Sequence, residues 1–155
     1  MRISSINTSF IDYPGKTSMI VFMTGCSHKC ERCHNPELQD PSYGYDIAVN
    51  ELIEQFKNMP LCNAVTFSGG DPLFQFDELL KACKEFSKIT DICVYTGETL
   101  DKVPVDLLKH IKVLKTEPYI FKLGDISNIN TNQKIWDIVD NKPIENKEYF
   151  KPKEL

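Results

Sequence analysis

No stretch of the sequence approaches the roughly 18 consecutive apolar residues of a membrane span, and the opening Met1-Arg2-Ile3-Ser4-Ser5 lacks the apolar centre of a secretory signal. The chain is therefore expected in the cytoplasm, with no membrane contact. Basic residues do not dominate: 18 Lys and Arg stand against 22 Asp and Glu, a net charge of -4. With no run of like charges either, direct binding of nucleic acid or of an anionic surface is not expected. Internal repeats and low-complexity linkers are also missing, so 155 residues, 41% of them hydrophobic, read as one domain with an ordinary core. Such a core needs no covalent staples. The six cysteines are better explained as free thiols of a reducing compartment, or as metal ligands, than as disulfides.

What is present is concentrated. Cys26-Ser27-His28-Lys29-Cys30-Glu31-Arg32-Cys33 holds three cysteines directly after the apolar run Met19-Ile20-Val21-Phe22-Met23 and the short Thr24-Gly25. Three thiolates in one loop at the end of a buried strand suit an inorganic cluster, and a four-iron cubane offered three cysteines keeps one iron open for chemistry. The competing reading is a structural zinc site completed by His34. Cys62, Cys83 and Cys93 have no such spacing and are expected to be small core residues.

Along the chain, strand and helix signals alternate. The run 19–23 is apolar throughout, as in a parallel strand covered on both faces. Residues 46–56 place Val49, Leu52, Ile53 and Phe56 on one helical stripe, with Asp46 as the expected cap. Ala64-Val65-Thr66-Phe67 reads as a strand that ends in the turn Ser68-Gly69-Gly70-Asp71-Pro72. A helix is expected over 76–88, a strand over 92–95 stopped by Thr96-Gly97, a short helix after Pro104, a strand over 111–114, and a last helix capped by Thr131 that carries Ile135, Trp136, Ile138 and Val139. This order predicts an α/β fold with a mainly parallel sheet, residues 1–140 forming the core domain and 141–155 a polar C-terminal tail. The chain is too short for a closed eight-stranded barrel, so a partial, open β/α barrel is expected, with its site at the carboxyl ends of the strands.

The Cys-x3-Cys-x2-Cys spacing followed by Gly69-Gly70-Asp71-Pro72 resembles the radical S-adenosylmethionine superfamily. Within it, Tyr13-Pro14-Gly15-Lys16, Thr24-Gly25-Cys26, Cys33-His34-Asn35-Pro36-Glu37-Leu38, Ser68-Gly69-Gly70-Asp71-Pro72-Leu73, Tyr95-Thr96-Gly97 and Thr131-Asn132-Gln133-Lys134 resemble the activating proteins of anaerobic ribonucleotide reductase, over about residues 6–139. The resemblance implies that Cys26, Cys30 and Cys33 hold a 4Fe-4S cluster whose fourth iron takes the amino and carboxylate groups of S-adenosylmethionine. It implies that His34, Ser68, Gly69, Gly70, Asp71 and Thr96 border that ligand, with Asp71 accepting from its ammonium. The partner implied is a glycyl radical enzyme, the catalytic subunit of an anaerobic ribonucleotide reductase, and the electron donor a flavodoxin or ferredoxin. Two departures stand out: Arg32 occupies the place before the third cysteine where many superfamily members have an aromatic residue, and Thr116-Glu117 stand where the related pattern has aspartate and glycine. Activation of another glycyl radical enzyme, chemistry on a small molecule, and a non-catalytic zinc or iron-sulfur module are the other readings the residues allow. On their own, Gly69-Gly70-Asp71 read as a tight turn, His28 and Lys29 as solvated loop residues, and Asn132 and Gln133 as helix-start caps.

Overall fold

In the computed structural model, which describes residues 1–150, eight strands form one sheet: β1 (Arg2–Ser9), β2 (Ser18–Met23), β3 (Tyr45–Asp46), β4 (Ala64–Gly69), β5 (Asp91–Tyr95), β6 (Val113–Thr116), β7 (Lys134–Val139) and β8 (Lys142–Glu145). Their spatial order is β3-β1-β2-β4-β5-β6-β7-β8. The central β2, β4, β5 and β6 run parallel, and an antiparallel pair closes each edge. The crossovers between parallel strands carry α1 (Val49–Lys57), α2 (Phe76–Phe86) and α3 (Val105–Leu108). Because each crossover steps to the next strand in the same direction, one handedness puts all three helices on one face of the sheet. Leu52, Leu79, Ala82, Cys83, Phe86 and Leu107 accordingly pack on Val21, Val65, Phe67, Val94 and Leu114. The Phe86 ring meets Phe56 and Phe67 edge-on at 5.9 and 6.0 Å.

Strand alternation sends the intervening side chains to the other face. There Ile20 and Phe22 of β2, Ser68 of β4, Tyr95 of β5 and Lys115 of β6 line a cavity. No helix among the described residues is long and apolar enough to cross a membrane.

The structure corrects several expectations. The helix expected after Thr131 is strand β7. Ile135 and Ile138 are three residues apart, which imitates a helical stripe, but they enter different clusters on opposite faces of the sheet. A strand buried on both faces can show that spacing, and its β-branched and aromatic residues favour the extended form. Residues 142–145, expected in the polar tail, pair with β7 as β8; residues 151–155 of that tail lie outside the described residues. Asp46 is a strand residue whose carboxylate meets Arg2 at 3.2 Å, and Ala48 takes the N-cap position of α1 with no side-chain cap. β6 begins two residues later than expected, which draws Lys115 and Thr116 into the sheet. β1 was not anticipated, since Arg2–Ser9 offers only Ile3 and Ile6 as apolar signal.

Candidate functional site

The chain leaves β2 through Gly25, whose φ of 94° is one that residues with a side chain rarely adopt, and a Cβ there would strike the Phe74 ring. The cysteine loop that follows is wound tightly enough for Lys29 and Arg32, neither of them glycine, to take φ of 49° and 54°. Arg32 stacks its guanidinium 4.0 Å from the centre of the Phe121 ring. The consequence is that Cys26, Cys30 and Cys33, all half-buried free thiols, line the same cavity of about 430 Å³. Among the described residues no three His, Cys, Asp or Glu side chains are grouped as ligands of a single metal ion. Three thiols at one cavity are the ligand set of a cubane in which each cysteine binds a different iron. Burial pushes the Cys26 thiol up from its ordinary value, a cost that a cluster bound to the thiolate would offset.

The glycine turn is stitched to this loop. Gly70 N–H donates to Met23 O and Asp71 N–H to Gly25 O, both at 2.9 Å. A Cβ on Gly69, at φ 116°, would overlap the Met23 main chain, and one on Gly70 would lie 2.5 Å from Leu38 O and 2.6 Å from Gly25 O. Both glycines are thus required by backbone packing, and with Ser68 they give the cavity a wall almost free of side chains.

Asp71 and Thr96 are placed behind that wall, and neither lines the cavity. The Asp71 side chain, only 3% exposed, caps the short helical turn Pro72–Gln75 by accepting from Leu73 N–H at 2.9 Å. It also accepts from Thr96 Oγ1–H at 2.9 and 3.0 Å, from Gly97 N–H at 2.9 Å and from His28 Nε2–H at 2.6 Å. One carboxylate therefore ties together the loops after β2, β4 and β5, and has little capacity left for a ligand ammonium. His28, expected in solvent, is half-buried, and its hydrogen bond to Asp71 raises its pKa. His34 remains at the rim, its exposed ring 4.7 Å from that of Tyr119 and its Nε2 4.0 Å from the Asp125 carboxylate. Asn132 and Gln133 cap no helix: Asn132 Nδ2 donates to Pro118 O at 3.0 Å, and Gln133 lines the cavity.

Lys115 was not anticipated, although a lysine inside the otherwise apolar Val113-Leu114-Lys115 is a sequence signal. Its side chain lines the cavity at 8% exposure, and burial lowers its pKa to about 8. Next to it, Thr116 Oγ1 accepts from the Trp136 indole N–H at 2.9 Å, and Glu117 holds φ 79°. The backbone thus keeps the left-handed turn natural to a glycine while the two side chains differ from the related pattern.

The 4Fe-4S single cluster domain family matches residues 12–146. The chain is 26% identical over 141 residues to the anaerobic ribonucleoside-triphosphate reductase-activating protein of Enterobacteria phage T4, covering 84% of this chain and 90% of that protein. It is 29% identical over 123 residues to the protein of the same name from Haemophilus influenzae, covering 72% and 79%. With the pyruvate formate-lyase-activating enzyme of Clostridium pasteurianum it shares 36% identity over 93 residues, 54% of this chain and 39% of that enzyme. The chain therefore spans most of the two reductase activators but well under half of the lyase activator.

Proposed function

This chain belongs to the 4Fe-4S single cluster domain family, and on that premise we propose that it is a radical S-adenosylmethionine activase that installs a glycyl radical on an anaerobic ribonucleoside-triphosphate reductase. The observation that carries the reading is a meeting at one cavity: three cysteine thiols and the bare backbone wall of Ser68, Gly69 and Gly70, at the carboxyl ends of β2 and β4. A singly wound sheet with its helices on one face supports a partial, open β/α barrel, residues 1–140 forming its core.

Cys26, Cys30 and Cys33 would hold the cluster, and the backbone wall would receive the methionine part of S-adenosylmethionine. When bound, these groups supply the one-electron cleavage of the sulfonium that releases methionine and a hydrogen-abstracting 5'-deoxyadenosyl radical. Ile20, Phe22 and Tyr95 keep the cavity wall largely apolar and exclude water from it. Ile11, 79% exposed, lines the mouth beside Phe10, 71% exposed, and offers an apolar lip to the glycine-bearing loop of the partner. Flavodoxin or ferredoxin serves as the electron donor, in a cytoplasm that keeps all six cysteines reduced. The reductase activators are matched over 90% and 79% of their own length, against 39% and 54% for two lyase activators, which favours that substrate over pyruvate formate-lyase.

Anaerobic reconstitution with iron and sulfide tests the reading. The parent protein and Cys62→Ala, altered outside the cavity, should show cluster-thiolate absorption and release methionine from S-adenosylmethionine under reduction. Cys30→Ala should do neither. One tightly bound zinc without methionine release would establish a non-catalytic module instead.

A further inference from the structure

Resting on the reading of this cavity as an S-adenosylmethionine site, we propose that Lys115 is the receptor for the ligand's α-carboxylate. The residue stands on β6 with its side chain on the cavity face, opposite the helix-packed Leu114. An ammonium has three N–H groups to satisfy. Two reach backbone carbonyls, Thr96 O at 3.2 Å and Glu117 O at 3.4 Å. No carboxylate of the described residues comes within 4.0 Å of Nζ. Asp71 contributes favourable field to Lys115, but its oxygens are taken by His28, Leu73, Thr96 and Gly97. The Tyr95 ring, 5.8 Å away, adds only a weak attraction.

A buried ammonium with no anionic partner is expensive, and proteins that keep one generally use it. Here the use follows from the charges around it. Among the described residues Lys115 is the sole Lys or Arg that lines the cavity, whereas Asp12 and Asp125 line it as acids and His28 is bound to Asp71. An anionic group entering the cavity therefore finds one buried countercharge. S-adenosylmethionine carries one carboxylate beside two cationic groups, its ammonium and its sulfonium. Lys115 attracts the first and repels the others, so it orients the ligand as well as holding it.

The test is a coupling measurement on the anaerobically reconstituted protein with its cluster left oxidised, so that nothing turns over. Equilibrium binding of S-adenosylmethionine and of decarboxylated S-adenosylmethionine is measured for the parent, Lys115→Met and Lys115→Arg, with cluster absorption recorded for each. In the parent, removing the ligand carboxylate costs affinity through every contact that it makes. In Lys115→Met that cost should shrink by about tenfold to a hundredfold, the range for a hydrogen bond between charged groups, and Lys115→Arg should recover part of it. If Lys115→Met loses the cluster, Lys115→Gln, which keeps a neutral donor for Thr96 and Glu117, is judged by the same criterion. An equal cost in parent and variant overturns the assignment and reduces Lys115 to a tether for two carbonyls. A parent that binds neither compound overturns the S-adenosylmethionine reading itself, and the assignment with it.

Discussion

Replacing Asp71 by Ala deprives four donors of their shared acceptor: Leu73 N–H, Thr96 Oγ1–H, Gly97 N–H and His28 Nε2–H. Loss of the helical cap alone costs about 1 kcal/mol. Breaking a buried charged contact by removing one partner costs about 3–5 kcal/mol. These figures do not add, because all four donors converge on one carboxylate, so about 3–5 kcal/mol is expected for the whole change. At 2–4 °C per kcal/mol for a chain of this size, the melting temperature should fall by about 6–20 °C. Asp71→Asn retains an acceptor but turns an amide N–H₂ toward donors, and should lie between Ala and the parent. Calorimetry on the cluster-free and cluster-loaded protein checks both values. If Asp71→Ala melts with the parent and loses only S-adenosylmethionine affinity, then Asp71 faces the ligand, and its placement behind the cavity wall is wrong.

Gly70→Ala puts a Cβ 2.5 Å from Leu38 O, so urea denaturation should show a loss of about 1–3 kcal/mol, typical of overpacking, together with weaker cluster retention; a purely ligand-contacting glycine would leave the denaturation midpoint unchanged. The pKa of Lys115 is lowered on folding, from 10.5 to about 8, so between these values the unfolded chain binds more protons than the native one. Its contribution to stability therefore rises with pH across that window, and the cost of its charge is fully present below pH 8. That cost is at most about 3 kcal/mol, offset by the bonds to Thr96 and Glu117, so ligand-free Lys115→Met should match or exceed the parent in stability at pH 7. Its stability relative to the parent should then fall toward pH 10, and a pH-independent difference would contradict the buried charge.

The meeting of the cysteine loop and the glycine turn was legible because the residue types are local signals: three thiols crowded in one loop, and glycines where backbone meets backbone at Met23, Gly25 and Leu38. The parallel strands were legible for a related reason, since Met19–Met23 and Ala64–Phe67 are rich in apolar residues and are buried on both faces. β7 misled because Ile135 and Ile138 serve opposite faces at a spacing that a helix would use for one. β8, with Pro143 and alternating polar residues, carries almost no signal apart from its partner strand. Asp71 was found by motif but its hydrogen-bond donors were not, because they lie 25 and more residues away, at Thr96, Gly97 and His28. Lys115 carried a signal as a lysine in an apolar run, but the register of β6 is what shows that it turns into the cavity and away from solvent.

The most direct test of the activase reading is electron paramagnetic resonance on the reconstituted, reduced protein mixed with S-adenosylmethionine and an anaerobic ribonucleoside-triphosphate reductase. The expected result is a glycyl doublet that grows with methionine release, is absent with Cys30→Ala, and is accompanied by nucleotide reduction. Methionine release without any glycyl signal on the reductase would contradict the activating role.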